Sequence, residues 1–271
     1  MSQASLLVLI HGALMDRRSM LALTPMLPNH HAVLCPDLAG HGQRRNEHER
    51  LAELNPRELA GDLLRQLPIQ SLAASLPVHL VGHSLGALVA MELQQLLHEG
   101  GGGAASLVLG DPPLFINLDT PSQHAAAAGM ANDVVGQRLA RDSFFGFVGN
   151  NPAAGEESPY LKKLEKVSQQ LPVHLLHGLQ PRHQRQDGSV DCGTFLSEQS
   201  LNLLRSKSHG AHLHPVSDAG HFVFHTNEGS SKLIDCLKTV VNTGDLSQPE
   251  VQQDRSKVHA SPKVRANRHA E

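Results

Sequence analysis

The sequence predicts an α/β fold in which a mostly parallel sheet of about six strands has helices on both faces and a small helical cap insertion. Short apolar runs typical of buried strands alternate with longer segments of helical periodicity, which implies crossover connections and a parallel sheet. Glycine-containing turns follow most of the strand-like runs, at the edge where open α/β sheets place their sites. The 271 residues, of which 40% are hydrophobic and 18% are charged, are enough for a sizeable core.

The strands and helices follow from composition and spacing. Six runs are short and mostly apolar, the last being the weakest, and in chain order they are residues 5–10, 31–35, 77–81, 105–109, 172–176 and 209–215. Residues 85–98 have apolar side chains at helical spacing and no proline, which predicts a helix directly after the third strand. The other predicted helices are residues 18–27, 55–75, 193–205 and 230–241.

The stretch between the fourth and fifth strands, residues 113–170, is too long for a simple crossover. Helix-like pieces at 123–145 and 160–170 flank a loop rich in Gly, Pro and Asn, and loops longer than ~15 residues are usually functional or disordered. We therefore predict a helical cap inserted into a core made of residues 1–112 and 171–243. The alternative is a decorated crossover helix with no role over the site. Residues 244–271 are polar, which predicts a disordered tail.

Residues 82–86 read Gly-His-Ser-Leu-Gly and lie between a predicted strand and a predicted helix. Gly-x-Ser-x-Gly can occur by chance in a glycine-rich chain, but the strand, sharp turn and helix are the setting of a nucleophile elbow. The two glycines leave room where a β-carbon would clash in so tight a turn. The pattern therefore predicts Ser84 as a nucleophile exposed at the tip of the turn.

A serine nucleophile needs a base and two N–H groups that bind the oxyanion. His221, in a turn beyond the sixth strand, is the favoured base. The competing histidines are less well placed, because His83 adjoins the nucleophile and would point away from it, while His41 braces a loop and His177 ends a strand. The oxyanion donors are expected from Leu85, directly after Ser84, and from the turn after the first strand, where Ala13 is preferred and Leu14 comes next.

These motifs resemble those of the α/β-hydrolase superfamily over about residues 5–241. They are Leu-Ile-His-Gly at 9–12, Asp-Leu-Ala-Gly-His-Gly at 37–42, the serine motif at 82–86 and Ala-Gly-His at 219–221. The resemblance implies a compact member without extra N-terminal strands. Serine at the elbow argues against the epoxide-hydrolase and dehalogenase branches, which use an aspartate there.

The third member of the triad departs from the family pattern. Family members most often take the acid from the loop after the fifth strand counted here, but residues 178–183 contain no acid. Asp111, at the end of the fourth strand, preserves the chain order Ser, Asp, His and is the favoured acid. A turn-forming role before two prolines is the alternative for Asp111. The other candidate acids are Asp187, then Asp191 and Asp218.

Composition and charge argue against a nucleic-acid-binding, membrane-spanning or secreted protein. The net charge of −3 gives no reason to expect nucleic acid as a partner, and no apolar run approaches the ~20 residues of a membrane span. The N-terminus lacks the basic region of a signal peptide. An odd number of cysteines, three, without metal-ligand spacing predicts reduced thiols in a cytoplasmic protein, and the 19 scattered histidines predict no metal site. The oligomeric state is left open.

The sequence thus predicts a serine hydrolase that cleaves an ester or thioester of a small molecule through an acyl-enzyme, without a cofactor. Met130, Phe144, Phe145 and Phe147 are candidates to line the pocket from the cap, or equally to pack the cap against the main domain. Two other functions stay open. The scaffold also resembles carbon–carbon bond hydrolases and lyases, and the missing acid after the fifth strand allows a non-catalytic small-molecule binding descendant.

Overall fold

The computed structural model describes residues 4–27, 31–115, 130–144, 159–180, 183–184, 190–191, 193–208 and 210–243. Its strands are β1 (Leu6–Ile10), β2 (Ala32–Leu34), β3 (Val78–His83), β4 (Ser106–Gly110), β5 (Val173–Gly178), β6 (His183–Gln184), β7 (Val190–Asp191) and β8 (Ala211–Val216). Six of them form one parallel sheet in the order β2-β1-β3-β4-β5-β8. The short strands β6 and β7 pair separately as an antiparallel ribbon.

The helices lie between and after these strands. They are α1 (Arg17–Leu21), α2 (Pro56–Gln66), α3 (Ile69–Ala73), α4 (Leu85–Glu99), α5 (Val134–Leu139), α6 (Pro159–Ser168), α7 (Glu198–Lys207) and α8 (Asn227–Thr243). Two 3₁₀ segments occupy Thr24–Met26 and Gly42–Arg50, and a π-helical turn occupies Ala140–Phe144. None of the described helices has the length and apolar character that crossing a bilayer requires.

Burial on both faces explains why the central strands are continuous apolar runs. Every residue of β1, β3, β4 and β5 is buried, whereas the edge strands β2 and β8 are partly exposed. Alternate residues of β1 enter two different apolar clusters, one beneath α2 and α4 and the other beneath α1 and α8. The predicted parallel sheet with helices on both faces is confirmed.

Four of the predicted helices differ from the structure, and one of them, predicted at 230–241, is α8 (Asn227–Thr243), which is longer at both ends. The predicted helix at 55–75 is two helices, because Leu67 is extended ahead of Pro68, as the residue before a proline prefers. The segment 18–27 is the short α1 followed by a 3₁₀ turn with Pro25 near its start. α7 begins at Glu198 rather than 193, because the hydroxyl of Ser197 caps it by accepting from the Ser200 N–H at 3.1 Å.

Within the predicted cap, 113–170, the described residues are 113–115, 130–144 and 159–170. α5 and the π-helical turn are anchored on the loop before α2, since the Asp142 carboxylate accepts from the Leu54 N–H at 3.0 Å. α6 packs against α4, where the Tyr160 hydroxyl donates to Glu92 at 3.2 Å. The cap's limits and its role over the site stay predictions. The predicted tail, 244–271, lies outside the described residues.

Candidate active site

Ser84 lies in the turn between β3 and α4, with backbone angles of φ +54° and ψ −119°. Such a positive φ is strained for a residue with a side chain and persists only where the surroundings enforce it. The Ser84 N–H donates to the Gly110 carbonyl at 2.8 Å. A β-carbon on Gly82 would lie 2.3 Å from the Gly86 carbonyl oxygen, and one on Gly86 would lie 2.3 Å from that of Ile10. Both glycines of the motif are therefore required by backbone packing.

Asp111 holds the imidazole of His221. Its Oδ2 lies 2.6 Å from Nδ1 of His221, and the carboxylate is fully buried at the end of β4. Two other donors reach it: the Phe195 N–H donates to Oδ2 at 2.9 Å, and the Thr194 hydroxyl donates to Oδ1. Donors on both oxygens fix the carboxylate in one orientation.

The loop that carries His221 follows β8 and packs tightly on the end of β5. The Gln180 N–H donates to the Ala219 carbonyl at 2.8 Å, and a β-carbon on Gly178 would lie 2.0 Å from the Gly220 carbonyl oxygen. The ring of Phe195 covers the imidazole of His221, with their centroids 3.9 Å apart. Contacts to its loop backbone and to its ring therefore both hold His221 in place.

The three candidate triad residues converge through the ends of β3 and β4. Ser84 binds the carbonyl of Gly110, the residue before Asp111, and Asp111 binds His221. His83, directly before Ser84, binds the main-chain carbonyl of His221 at 2.8 Å. Within the described part of the chain, neither the Ser84 hydroxyl nor Nε2 of His221 forms a hydrogen bond. Both atoms are therefore available for the predicted contact with each other, and contacts of this kind often tighten only when a substrate binds.

The turn after β1 lies against Ser84. A β-carbon on Gly12 would lie 3.2 Å from Cβ of Ser84, and Leu14 adopts a positive φ of 58° in the same turn. Neither the Ala13 N–H nor the Leu85 N–H, at the first residue of α4, donates to another described residue. These two amides are thus available as oxyanion donors, and that role stays a prediction.

The other histidines near the turn have structural partners. Nε2 of His11 accepts from the Leu38 N–H at 3.0 Å, so its Nδ1 carries the proton and donates to the Gly12 carbonyl at 2.8 Å. Nδ1 of His41 lies 3.1 Å from the carbonyl of Ala39, in its own loop. Burial lowers the pKa of His83 far below its ordinary value and that of His41 to about 4. These rings are neutral near pH 7.

Of the three alternative acids, only Asp218 has a side chain among the described residues. Its carboxylate binds other residues than His221, since it accepts from the Thr226 hydroxyl at 2.6 Å and from the Glu228 N–H at 3.1 Å. Asp187 lies outside the described residues, and of Asp191 only the backbone is described. Among the candidate cap residues, Met130 is buried with Phe195, while the side chains of Phe144, Phe145 and Phe147 lie outside the described part.

Sequence reasoning missed Thr194 and Phe195. Both were assigned to a helix beginning at residue 193, whereas they form the loop that binds Asp111. The signal that could have found them is the pattern Ser-x-x-Ser at 197–200, since a serine N-cap marks a helix start at 198 and leaves the preceding residues as a loop.

A cavity of about 870 Å³ lies beside the turn after β1 and the loop of residues 40–45. Charged and polar side chains predominate in its lining, including Asp16, Arg17, His41, Arg45 and Asp133. Leu14 and Met15 also line it, but Ser84, Asp111 and His221 do not. The cavity therefore borders the predicted oxyanion turn without reaching the candidate triad.

Comparison with known proteins places the chain among proteins of one family. A family model described as the alpha/beta hydrolase family matches residues 7–229. Comparison with curated proteins gives no match. An esterase from Exiguobacterium antarcticum, EaEST, has a similar structure with a TM-score of 0.58 at 16% identity, covering 89% of this chain and 93% of that one.

Two further solved structures share the fold. The RedJ thioesterase of the prodiginine pathway from Streptomyces coelicolor has a TM-score of 0.58 at 17% identity, covering 87% of this chain and 89% of that one. The peroxisomal alpha-beta-hydrolase Lpx1 from Saccharomyces cerevisiae has a TM-score of 0.62 at 14% identity, covering 93% of this chain and 81% of that one. At these identities the likeness establishes the fold alone.

Proposed function

Because this chain belongs to the alpha/beta hydrolase family, we propose that it is a serine hydrolase that cleaves an ester or thioester of a small molecule through an acyl-enzyme. The observation that carries the proposal is the 2.6 Å contact between Asp111 and His221, next to a serine held in a strained turn. The esterase and thioesterase among the similar structures support these two substrate classes.

Asp111 sets the tautomer of the base. Because the carboxylate accepts from Nδ1–H of His221, Nε2 of the neutral ring carries a lone pair. Nε2 takes the proton of Ser84 as its oxygen attacks the substrate carbonyl carbon. The imidazolium that forms is stabilised by the buried carboxylate.

The negative oxygen of the tetrahedral intermediate is bound by the N–H groups of Ala13 and Leu85. The intermediate collapses as Nε2–H of His221 protonates the leaving alcohol or thiol, which departs and leaves the acyl group on Ser84. A water then attacks the acyl carbon and gives a proton to Nε2, and a second collapse releases the acid and returns that proton to Ser84. The cycle restores every group and needs no further reactant.

The thiols support a cytoplasmic location. Among the described residues, Cys35 and Cys236 are both free, and burial raises their pKa values to about 11 and about 12. Unpaired thiols are the usual state in a reducing compartment.

Labelling with a fluorophosphonate probe tests the nucleophile, because such a probe forms a bond to an activated serine. We expect the wild-type protein to be labelled, Ser84→Ala not to be labelled, and Ser71→Ala, a change at an exposed serine, to be labelled like the wild type. Equal labelling of Ser84→Ala and wild type would exclude Ser84 as the nucleophile.

A panel of acyl esters and acyl thioesters then identifies the substrate class by turnover. Turnover of a vinylogous diketone without turnover of any ester would favour carbon–carbon bond cleavage instead.

A further inference from the structure

A second cluster of reactive side chains lies on the face of the sheet that α8 covers. Nδ1 of His174, on β5, lies 2.9 Å from Nε2 of His214, on β8. Cys236, on α8, completes the cluster, and one ligand atom from each of the three residues lies within 4.8 Å of the others. In the part of the chain that the structure describes, no other group of three or more His, Cys, Asp or Glu side chains meets this proximity.

Strand register and helix periodicity bring the three residues together. His174 is paired with His212 and Leu176 with His214 along the parallel strands β5 and β8, so these side chains share one face. Leu176 packs in the apolar cluster that includes Leu233, Cys236 and Leu237 of α8, which places Cys236 over the same face. No spacing motif encodes the cluster, since the three residues come from separate elements.

The geometry is close to that of a metal site. Zinc binds imidazole nitrogen at about 2.0–2.1 Å and thiolate sulfur at about 2.3 Å, so tetrahedral ligand atoms lie roughly 3.3–3.8 Å apart. Nδ1 of His174 and Nε2 of His214, at 2.9 Å, are slightly closer than this. No two ligand atoms of the three residues are more than 4.8 Å apart. Side-chain movements on the order of 1 Å would bring the three atoms to the required spacing.

The donor types of the three groups suit a soft or borderline cation. Two imidazole nitrogens and one sulfur are ligands that cations of the zinc type bind in proteins. His174 and Cys236 are only 6% and 3% exposed, so these donors lie inside the fold.

We propose that His174, His214 and Cys236 form a binding site for a divalent transition metal of the zinc type. Two imidazoles and a thiolate are donors that Zn²⁺ prefers, and a water completes the tetrahedron. On binding, the Cys236 thiol releases its proton to solvent as the sulfur–metal bond forms. The proton shared by the two facing nitrogens moves to the other nitrogen of its own ring, so each facing nitrogen offers a lone pair. No group is oxidised or reduced.

The site joins the edge strand β8 and the C-terminal helix α8 to β5. The loop that carries His221 lies directly between β8 and α8. Metal binding therefore stabilises the part of the fold that presents the proposed base, although it takes no part in the reaction at Ser84. We expect the metal to stabilise the protein because a ligand that binds only the folded state raises the free energy of unfolding by mass action.

Cobalt(II) is the probe, since a thiolate–cobalt bond gives a charge-transfer absorption band in the near ultraviolet. We expect metal-free wild-type protein to develop this band up to a single equivalent of Co²⁺, and Zn²⁺ to remove it by displacement. Zn²⁺ should raise Tm by several degrees, and a chelator should reverse the increase. Cys236→Ser should lose the band. His214→Gln should bind Co²⁺ at least ~100-fold more weakly than wild type, because the loss of a direct ligand weakens metal binding more than the loss of a residue that only supports a ligand.

Three variants control for misfolding and for the wrong ligand set. His212→Gln changes a ring that stacks on His174 at 5.1 Å but lies outside the cluster, so it should keep the band. Ser84→Ala should also keep it, which separates this site from the proposed hydrolase. The double variant Cys35→Ser/Cys192→Ser leaves Cys236 as the sole thiol and should keep the band. Absence of the band in wild type, its persistence in Cys236→Ser or its loss in the double variant would overturn the proposal.

Discussion

The imidazole of His83 donates from Nε2 to the main-chain carbonyl of His221 at 2.8 Å, and the two rings lie 4.9 Å apart. This contact joins the residue before Ser84 to the residue that binds Asp111. The backbone of His221 is thus fixed to the serine turn by His83, while its ring is fixed by Asp111. The sequence predicts that His83 points away from the serine, and from this hydrogen bond we infer a positioning role that the motif alone does not indicate.

The first prediction concerns that positioning role. His83→Leu removes the donor, so we expect kcat to fall by about 10- to 100-fold with little change in KM, because a small displacement of the base disturbs the transition state more than substrate binding. His83→Gln, whose side-chain N–H can replace Nε2–H, should recover most of the loss. The measurements are kcat, KM and the rate of fluorophosphonate labelling, with Tm recorded for each variant. Equal kcat in the Leu and Gln variants at equal Tm would contradict the role.

The second prediction concerns the acid. Asp111→Asn removes the charge that stabilises the imidazolium and the acceptor that sets its tautomer, so turnover should fall by about 10⁴-fold. Asp218→Asn is the matched control, because Asp218 lies three residues before His221 but binds Thr226 and Glu228 instead. It should keep near-normal turnover. A large loss in Asp218→Asn with a small loss in Asp111→Asn would transfer the role to the other aspartate.

The sequence predicted the parts of the site that backbone packing imposes. Gly82 and Gly86 are identifiable from the motif because a β-carbon at either position would collide with main-chain atoms. Asp111 was favoured because it follows the fourth strand and preserves the chain order Ser, Asp, His, and the pairing of β3 with β4 accounts for its place at the same edge of the sheet as Ser84. The four central strands of the sheet were identifiable because their continuous apolar runs match strands buried on both faces, whereas the partly exposed edge strand β8 gave the weakest signal.

The remaining features depend on contacts between segments that no local pattern encodes. Phe195 reaches Asp111 through its backbone N–H, and any residue in that position supplies an N–H. His174 and His214 meet only because β5 and β8 pair in one register, and a different register would separate them. His83 finds the His221 carbonyl only once the loop after β8 has folded onto the end of β5.

The third prediction concerns the support of the acid. The Thr194 hydroxyl donates to Asp111 and accepts from the Leu196 N–H at 3.1 Å. Thr194→Val keeps the shape but removes both bonds, so kcat should fall by roughly 10-fold, equivalent to about 1.4 kcal/mol. Thr194→Ser retains the hydroxyl and should keep activity close to wild type. Steady-state kinetics decide this, and equal activity of the Val and Ser variants would show that Phe195 alone suffices.

The fourth prediction concerns the dependence of stability on pH. His79, on β3, is buried with Nδ1 2.8 Å from the Ser106 hydroxyl. Burial, and secondarily the nearby His31, lowers the pKa of His79 to about 4 from an ordinary value of 6.5. The unfolded chain therefore binds a proton at a higher pH than the folded protein does. The resulting contribution to stability is complete above pH 6.5 and is lost as pH falls from 6.5 towards 4, by about 3 kcal/mol for this one residue.

The free energy of unfolding, measured by urea denaturation at several pH values between 7 and about 4, tests this prediction. His79→Asn removes the titrating ring and can still pair with Ser106, so its free energy of unfolding should fall less steeply with decreasing pH than that of wild type. Its lower stability at pH 7 does not affect this comparison, because the slope is the readout. His98→Gln, which changes an exposed histidine on α4, should keep the wild-type slope. Parallel pH profiles for wild type and His79→Asn would mean that His79 takes up its proton equally in the folded and unfolded states.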